Sequence, residues 1–360
     1  MTSRERVRAA LNHVQPDFTP CDCFFTPEIH RALLRHFRLS TDDELRDRLG
    51  TDIRYIAPPS TGPTLPSFAD GSATDIWGIL KRPMSNEYGD YAEPVGFPYA
   101  GWKTVAEASR FPWPSPDDYD YSAIPSLCRQ YPRMAIAAGS FSVQDFINGT
   151  AFGRGVEQVL LDIACGDPVF LFIVDKRHRF YMEFIDRILS AARGRIDLVL
   201  CGDDFGSQRG PLISPTSFDA LFAQRKREFF SMVHSHGAKV THHCCGSSRA
   251  LIPRFISLGM DSLQTIQPRA AGMDPYRLKA DFGDRICFHG AVDVQGWLQR
   301  AQPREIREEV HRLMEEVGRG GGYILAPCHN LQPDTPIENA VALYSAVAER
   351  RGEGSIAGMR

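Results

Sequence analysis

Between residues 198 and 330 the chain passes five times through a short apolar stretch that turns polar at its C-terminal end. The stretches are LVLCGDD (198–204), AKVTHHCC (238–245), SLQTIQ (262–267), RICFHGAVD (285–293) and YILAPCHN (323–330). The segments between them carry helix punctuation. SPTSFDALFAQRKREFFSMVHSHG opens on Ser, Pro and Thr and stops at Gly, SSRALIPRFISLG follows the same logic, and PREIREEVHRLMEEVGRGGG ends in a glycine cluster. Strands alternating with helices imply parallel βαβ units. Adding MAIAAGS (134–140), DIRYIA (52–57) and TPCDCFF (19–25) makes eight candidate strands, so the spacing predicts an α/β fold, a (β/α)8 TIM barrel. An open doubly wound sheet is the alternative, but its first βα turn would carry G-x-G-x-x-G, which is missing here.

At 360 residues, one such barrel accounts for the chain as a single domain, 1–360. MTSRERVRAALNHV reads as an N-terminal helical extension that is charged and amphipathic and lacks the apolar core of a secretory signal. Residues 60–125, rich in Pro, Gly, Tyr, Trp and Asp, interrupt the alternation and predict a hairpin insertion or lid. The net charge of −3, with no long Lys/Arg run, argues against nucleic acid as the main partner. The longest apolar stretches fall far short of the ~20 residues that cross a bilayer. A soluble, cytoplasmic protein is therefore expected, with a homodimer among its possible assemblies. Of nine cysteines, Cys165 and Cys201 lie beside apolar runs and are expected to be inert core residues.

In a parallel barrel the loops that follow the strands form the active-site face. Here those positions hold Asp203 and Asp204, then HHCC, Gln267, His289 with Asp293, and Cys328, His329 and Asn330. A purely structural barrel has no need of polar groups at five successive strand ends. Asp203, Gln208, Gln267, His289 and Asn330 are thus candidates for orienting a substrate or moving a proton. In THHCCG (241–246), residues i and i+2 share a strand face, so His243 pairs with Cys245 and His242 with Cys244, pointing opposite ways. An imidazole and a thiolate on one face are proper ligands for tetrahedral zinc, and Cys328 offers another soft donor. Periodicity does not choose between the two pairs. The bland alternative is buried thiols and hydrogen-bonded histidines. A serine-hydrolase triad is disfavoured because no G-x-S-x-G elbow occurs.

Three stretches carry a family resemblance: GDDFGSQRGPLISPTSF followed by the H-x-C-G of His243 to Gly246, then GMDSLQTIQPRAAGMDPYRLKADFGDRICFHGAVDVQ, then GGGYILAPCHNLQPDTPIENAVALYSAV. In these the chain resembles the uroporphyrinogen decarboxylase superfamily, and within it the branch of zinc-dependent, corrinoid-linked methyltransferases (methylcobamide:coenzyme M and O-demethylase types). The resemblance is densest from residue 198 to 349. It implies zinc on His243, Cys245 and Cys328, with Glu157 as the tentative fourth ligand; a salt bridge to Arg154 is the competing reading of Glu157. It also implies an enzyme that moves a methyl group between a small methylated substrate and the cobalamin of a separate corrinoid protein, since no D-x-H-x-x-G motif is present to bind cobalamin in this chain. The branch leans toward demethylation of an O-methyl or similar donor. The family's decarboxylases carry an arginine-rich RQAGRY-type clamp, whereas this chain reads PCDCFFTPEIHRALL there. The alternative function is a metal-independent decarboxylase or lyase acting on a carboxylated small molecule; a non-catalytic binding barrel is a third.

Overall fold

The structure, a computed structural model, describes residues 1–86 and 89–356. In chain order its strands are β1 (Ile53–Ile56), β2 (Ala73–Thr74), β3 (Leu80–Asn86), β4 (Gly89–Val95), β5 (Ala135–Gly139), β6 (Leu198–Gly202), β7 (Lys239–His243), β8 (Ser262–Ile266), β9 (Cys287–Val292) and β10 (Tyr323–Pro327). Among the described residues, β1 and β5 to β10 form one parallel sheet in sequential order, with helices between successive strands. Five of these strands (β6 to β10) coincide with the C-terminal apolar stretches and are buried along nearly their whole length, as a sheet covered on both faces requires.

The eighth stave is the predicted strand at 19–25, but it joins by single bridges rather than a continuous ladder. Cys21 bridges Leu325 of β10, and Phe25 bridges Leu331. On its other side Asp52 N donates to Cys21 O at 2.8 Å, while the Cys21 amide turns to the Asp52 carboxylate at 2.8 Å. A carboxylate thus replaces a ladder carbonyl, and the sheet closes through side chain as well as backbone.

The N-terminal helix Ser3–Leu11 begins with a capping box between Thr2 and Glu5. Its Val7 and Leu11 pack with Ile53, Ala135, Leu198 and Ile324 near the strand N-termini. Arg6 bonds to Asp52 at 2.6 Å, and Arg4 to Asp197 at 2.8 Å. The helix therefore covers the N-terminal end of the barrel, opposite the loops that follow the strands. Cys201 is buried in the core as expected, whereas Cys165 is exposed at the end of its helix, whose inward face is Val159, Asp162 and Ile163.

Within 60–125, β2, β3 and β4 form a small antiparallel sheet; Glu87 and Tyr88 of this insertion lie outside the described residues. Its attachment is aromatic. Trp77 is buried against Phe180 and Tyr181 of helix Pro168–Ala192, at centroid distances of 5.2 and 5.7 Å, and the Arg177 guanidinium sits 4.2 Å over its ring. Tyr99 is buried too, its hydroxyl donating to Trp77 O. Such anchoring favours a fixed side sheet over a freely swinging lid. Trp77→Ala is expected to cost about 3–5 kcal/mol, read by urea unfolding, and to expose 60–125 to limited proteolysis. Unchanged stability would show that the insertion is held elsewhere. Among the described residues, no helix is long and apolar enough to cross a membrane.

Candidate metal centre at the strand C-termini

Strand alternation separates the four central residues of THHCCG. His242 points toward the helices and stacks between Phe205 and Phe255, at 6.1 and 5.6 Å. Both its ring nitrogens are buried without a hydrogen-bond partner, and burial holds its pKa well below the usual imidazole value. Cys244 follows it outward, its Sγ accepting from Phe205 N at 3.4 Å. His243 and Cys245 point into the barrel, with Nε2 and Sγ 3.3 Å apart.

Neighbouring staves orient this pair. Gln264 of β8 lies opposite His243 in the strand register, and its Oε1 accepts from His243 Nδ1. With the proton on Nδ1, the Nε2 lone pair faces Cys245, the tautomer and aim that a metal-binding imidazole needs. Asp204 Oδ1 accepts from Cys245 N at 2.7 Å and lies 3.7 Å from His243 Nε2; its Oδ2 accepts from Asn148 at 2.8 Å. Gln267 donates to Cys245 Sγ at 3.6 Å, while its Oε1 accepts from Gly246 N at 2.8 Å and from Gln208 at 3.2 Å. Gln264→Leu should leave the fold intact and lower metal affinity about 10–100-fold, because the ring loses its orienting acceptor. Competition with a chromophoric chelator measures this, and unaltered affinity would refute the orienting role.

Among the described residues, the donor atoms of His243, Cys245 and His329 lie within 4.8 Å of one another. Cys328, the sulfur expected from the resemblance, stands outside that group. It is buried at the end of β10, where its amide donates to Val292 O at 2.8 Å and the Val294 backbone hydrogen-bonds its thiol, yet it is close enough for its charge to act on Cys245. Burial pushes the Cys328 thiol up to about 12. The Cys245 thiol is also raised, by burial first and then by Asp204. Burial lowers both His243 and His329, and Asp204 opposes the shift at each. Neutral imidazoles beside thiols that resist ionisation are donors that a divalent cation would convert by displacing protons. The residues present therefore fit zinc.

Two expected site residues fall elsewhere. Asp203 turns away from the mouth and accepts from Phe146 N and Ile147 N, both at 3.0 Å, because it is adjacent to the inward-facing Asp204. Glu157 is exposed in the first turn of helix Val156–Cys165, outside the donor group. Nor does it pair with Arg154, which bonds Asp162 at 2.5 Å. Gln208 and Gln267 reach the site as described, and Asn330 follows His329 at the rim, half-buried.

His289 sits within the barrel and is fully buried. Its Nε2 lies 3.2 Å from Asp22 Oδ2 without hydrogen-bond alignment. Tyr55 donates to the same carboxylate at 2.5 Å, and Cys23 N donates to its other oxygen at 2.8 Å. Phe24 covers this group, 5.7 Å from His289, and meets Phe141 at 5.3 Å; Phe141 in turn lies 4.4 Å from His243. Asp22, Tyr55, Gln264, Phe24 and Phe141 line the candidate site and were missed by the sequence pattern. The one available signal was the period-2 alternation that places Tyr55 on the same face as Ile53.

Residues 176–350 match the family model described as uroporphyrinogen decarboxylase (URO-D). The uroporphyrinogen decarboxylase of Psychromonas ingrahamii is 32% identical over 77 residues, 21% of this chain and 21% of that protein. That of Methylococcus capsulatus is 36% identical over 67 residues, 19% of each. The aligned stretch thus spans about a fifth of the length of these curated relatives. Over nearly its full length the chain shares the fold of a methyltransferase from Methanosarcina mazei, with a TM-score of 0.67 at 18% identity, covering 97% of this chain and 99% of that one.

Proposed function

We propose, from the match of residues 176–350 to the uroporphyrinogen decarboxylase family model and from the site's geometry, that this chain is a zinc-dependent methyltransferase. It would move a methyl group between a small methylated substrate, of O-methyl or similar type, and the cobalamin of a separate corrinoid protein. The observation that carries this reading is the inward pair His243 and Cys245, with Nε2 and Sγ 3.3 Å apart and the ring's other nitrogen fixed by Gln264.

His243, Cys245 and Cys328 would hold the ion; Cys328 would exchange its backbone hydrogen bond for the metal. Zinc bound there supplies a Lewis acid for a substrate heteroatom. The chain's own groups do the rest. Gln267 holds the Cys245 sulfur by a hydrogen bond, and Gln208 holds Gln267. Phe24 and Phe141 form an apolar wall that limits water beside the reacting atoms. His289, fully buried beside Asp22, lies behind the Phe24 ring and would support that wall rather than meet substrate. In the demethylating direction the C–O bond breaks and both its electrons stay with oxygen, which takes up a proton. The methyl group would pass, without its bonding electrons, to the reduced cobalamin of the partner, which would supply the electron pair for the new bond.

The test combines metal analysis of the purified protein with methyl transfer from candidate donors to cob(I)alamin, with and without chelator. A metal-free protein would defeat the proposal. Metal-independent decarboxylation, the competing reading, predicts activity that survives chelation. It is disfavoured by the first stave, which turns a carboxylate, Asp22, into the barrel where an anionic substrate would need cations. The raised thiols also give a pH dependence. Metal binding must displace protons from Cys245 and Cys328, so apparent affinity should rise with pH by roughly tenfold per unit for each proton released. A pH-independent affinity from 6 to 8 would exclude protonated thiols as ligands.

A further inference from the structure

We propose that His329 is the exchangeable fourth ligand of this metal centre, closing the site at rest and yielding its place to the substrate heteroatom. The proposal rests on the zinc reading above and adds a residue that the H-x-C-G and distant Cys pattern does not contain. Its support is geometric. The His329 donor nitrogen lies within 4.8 Å of both His243 Nε2 and Cys245 Sγ. The two rings meet edge to face at 5.9 Å.

The carboxylates are poorer candidates. Asp204 Oδ1 lies 3.7 Å from His243 Nε2, yet Asp204 falls outside the donor group and its oxygens accept from Cys245 N at 2.7 Å and from Asn148 at 2.8 Å. Its role is to hold the Cys245 backbone. Glu157 is exposed on a helix outside the donor group. His329 differs from both: among the described residues its ring has no hydrogen-bond partner, although it is half-buried beside the donors.

The contrast with His243 supplies the exchangeability. His243 is buried on a barrel strand, and its second nitrogen is tethered by Gln264. His329 follows the end of β10, in the loop at the mouth, with its second nitrogen untethered. A ligand without an outer hydrogen bond, carried by a loop, is the one that leaves first. A resident imidazole would also keep water off the metal between turnovers, so a weak nucleophile would not occupy the site before substrate arrives.

Cobalt(II)-substituted full-length protein tests this without any need for the natural substrate. Hyperfine-shifted proton signals of coordinated imidazoles should count two histidines in the resting protein. Adding 2-mercaptoethanol as a thiol probe should remove one set of signals and strengthen the sulfur-to-cobalt absorption. In His329→Ala, one imidazole should be seen throughout. The thiol should then bind about tenfold more tightly, as expected if His329 occupies the position nine-tenths of the time. His329→Asn serves as the second variant should the alanine form fail to fold. Metal-loaded wild-type protein with a single coordinated imidazole, or a His329 variant that still shows two, overturns the proposal and leaves the zinc reading standing. Protein that takes up neither zinc nor cobalt overturns both.

Discussion

With the ion held as proposed, Cys245→Ser is expected to lower zinc content to nearly none, while the neighbouring Cys244→Ser keeps the wild-type content. Cys245 Sγ faces His243 Nε2 at 3.3 Å and receives a hydrogen bond from Gln267. A serine hydroxyl is a far poorer partner for a borderline-soft ion than a thiolate. Cys244 lies on the opposite face, fully buried, with its sulfur bound to the Phe205 amide. Its replacement affects packing rather than metal and should cost roughly 1–3 kcal/mol as a polar hydroxyl enters an apolar layer. Metal content by mass spectrometry, paired with urea unfolding, separates the two effects. Equal metal in both variants would mean that the alternation of this strand has no bearing on the ion.

A loss of about 3–5 kcal/mol in unfolding free energy is expected for Asp203→Ala, with no direct effect on the metal. Asp203 is buried beyond β6, where its two oxygens accept the amides of Phe146 and Ile147 at the start of helix Ile147–Arg154. Lys226, also buried, donates to Gln144 O at 2.7 Å and Gly202 O at 3.1 Å, and its charge acts on Asp203. Burial pushes the Asp203 carboxyl up and the Lys226 ammonium down, and each partner opposes the other's shift. Removing the carboxylate orphans two amides and leaves a buried ammonium with less compensation. Lys226→Met should be similarly destabilising alone, and the double variant less so than the sum of the two singles. Urea denaturation of the four proteins closes the cycle. Strict additivity would show that the two charges do not couple.

The two aspartates show how far local reading reaches. Alternation says that Asp203 and Asp204 face opposite ways, but only the assembled barrel says which one faces in. The same holds for Cys328 and His329: both were legible as donors after β10, yet the expectation named the sulfur and the structure gathers the imidazole. Glu157 was misread because its segment resembles the family, whereas its exposure depends on how its helix lies against neighbours distant in sequence. Gln264 and Asp22 gave no local signal. Gln264 matters through its register with His243, and Asp22 through a stave that pairs by isolated bridges with the last strand, some 300 residues away.

Period-2 and period-3.6 patterning, together with turn and cap residues, determined the barrel, the positions of its strands and the cluster of polar groups at their ends, because these follow from interactions between residues close in the chain. Which side chains meet was decided only by tertiary structure. Closing the sheet sets the inward face of every strand at once, and donor distances of a few ångströms depend on register between strands that are far apart in sequence.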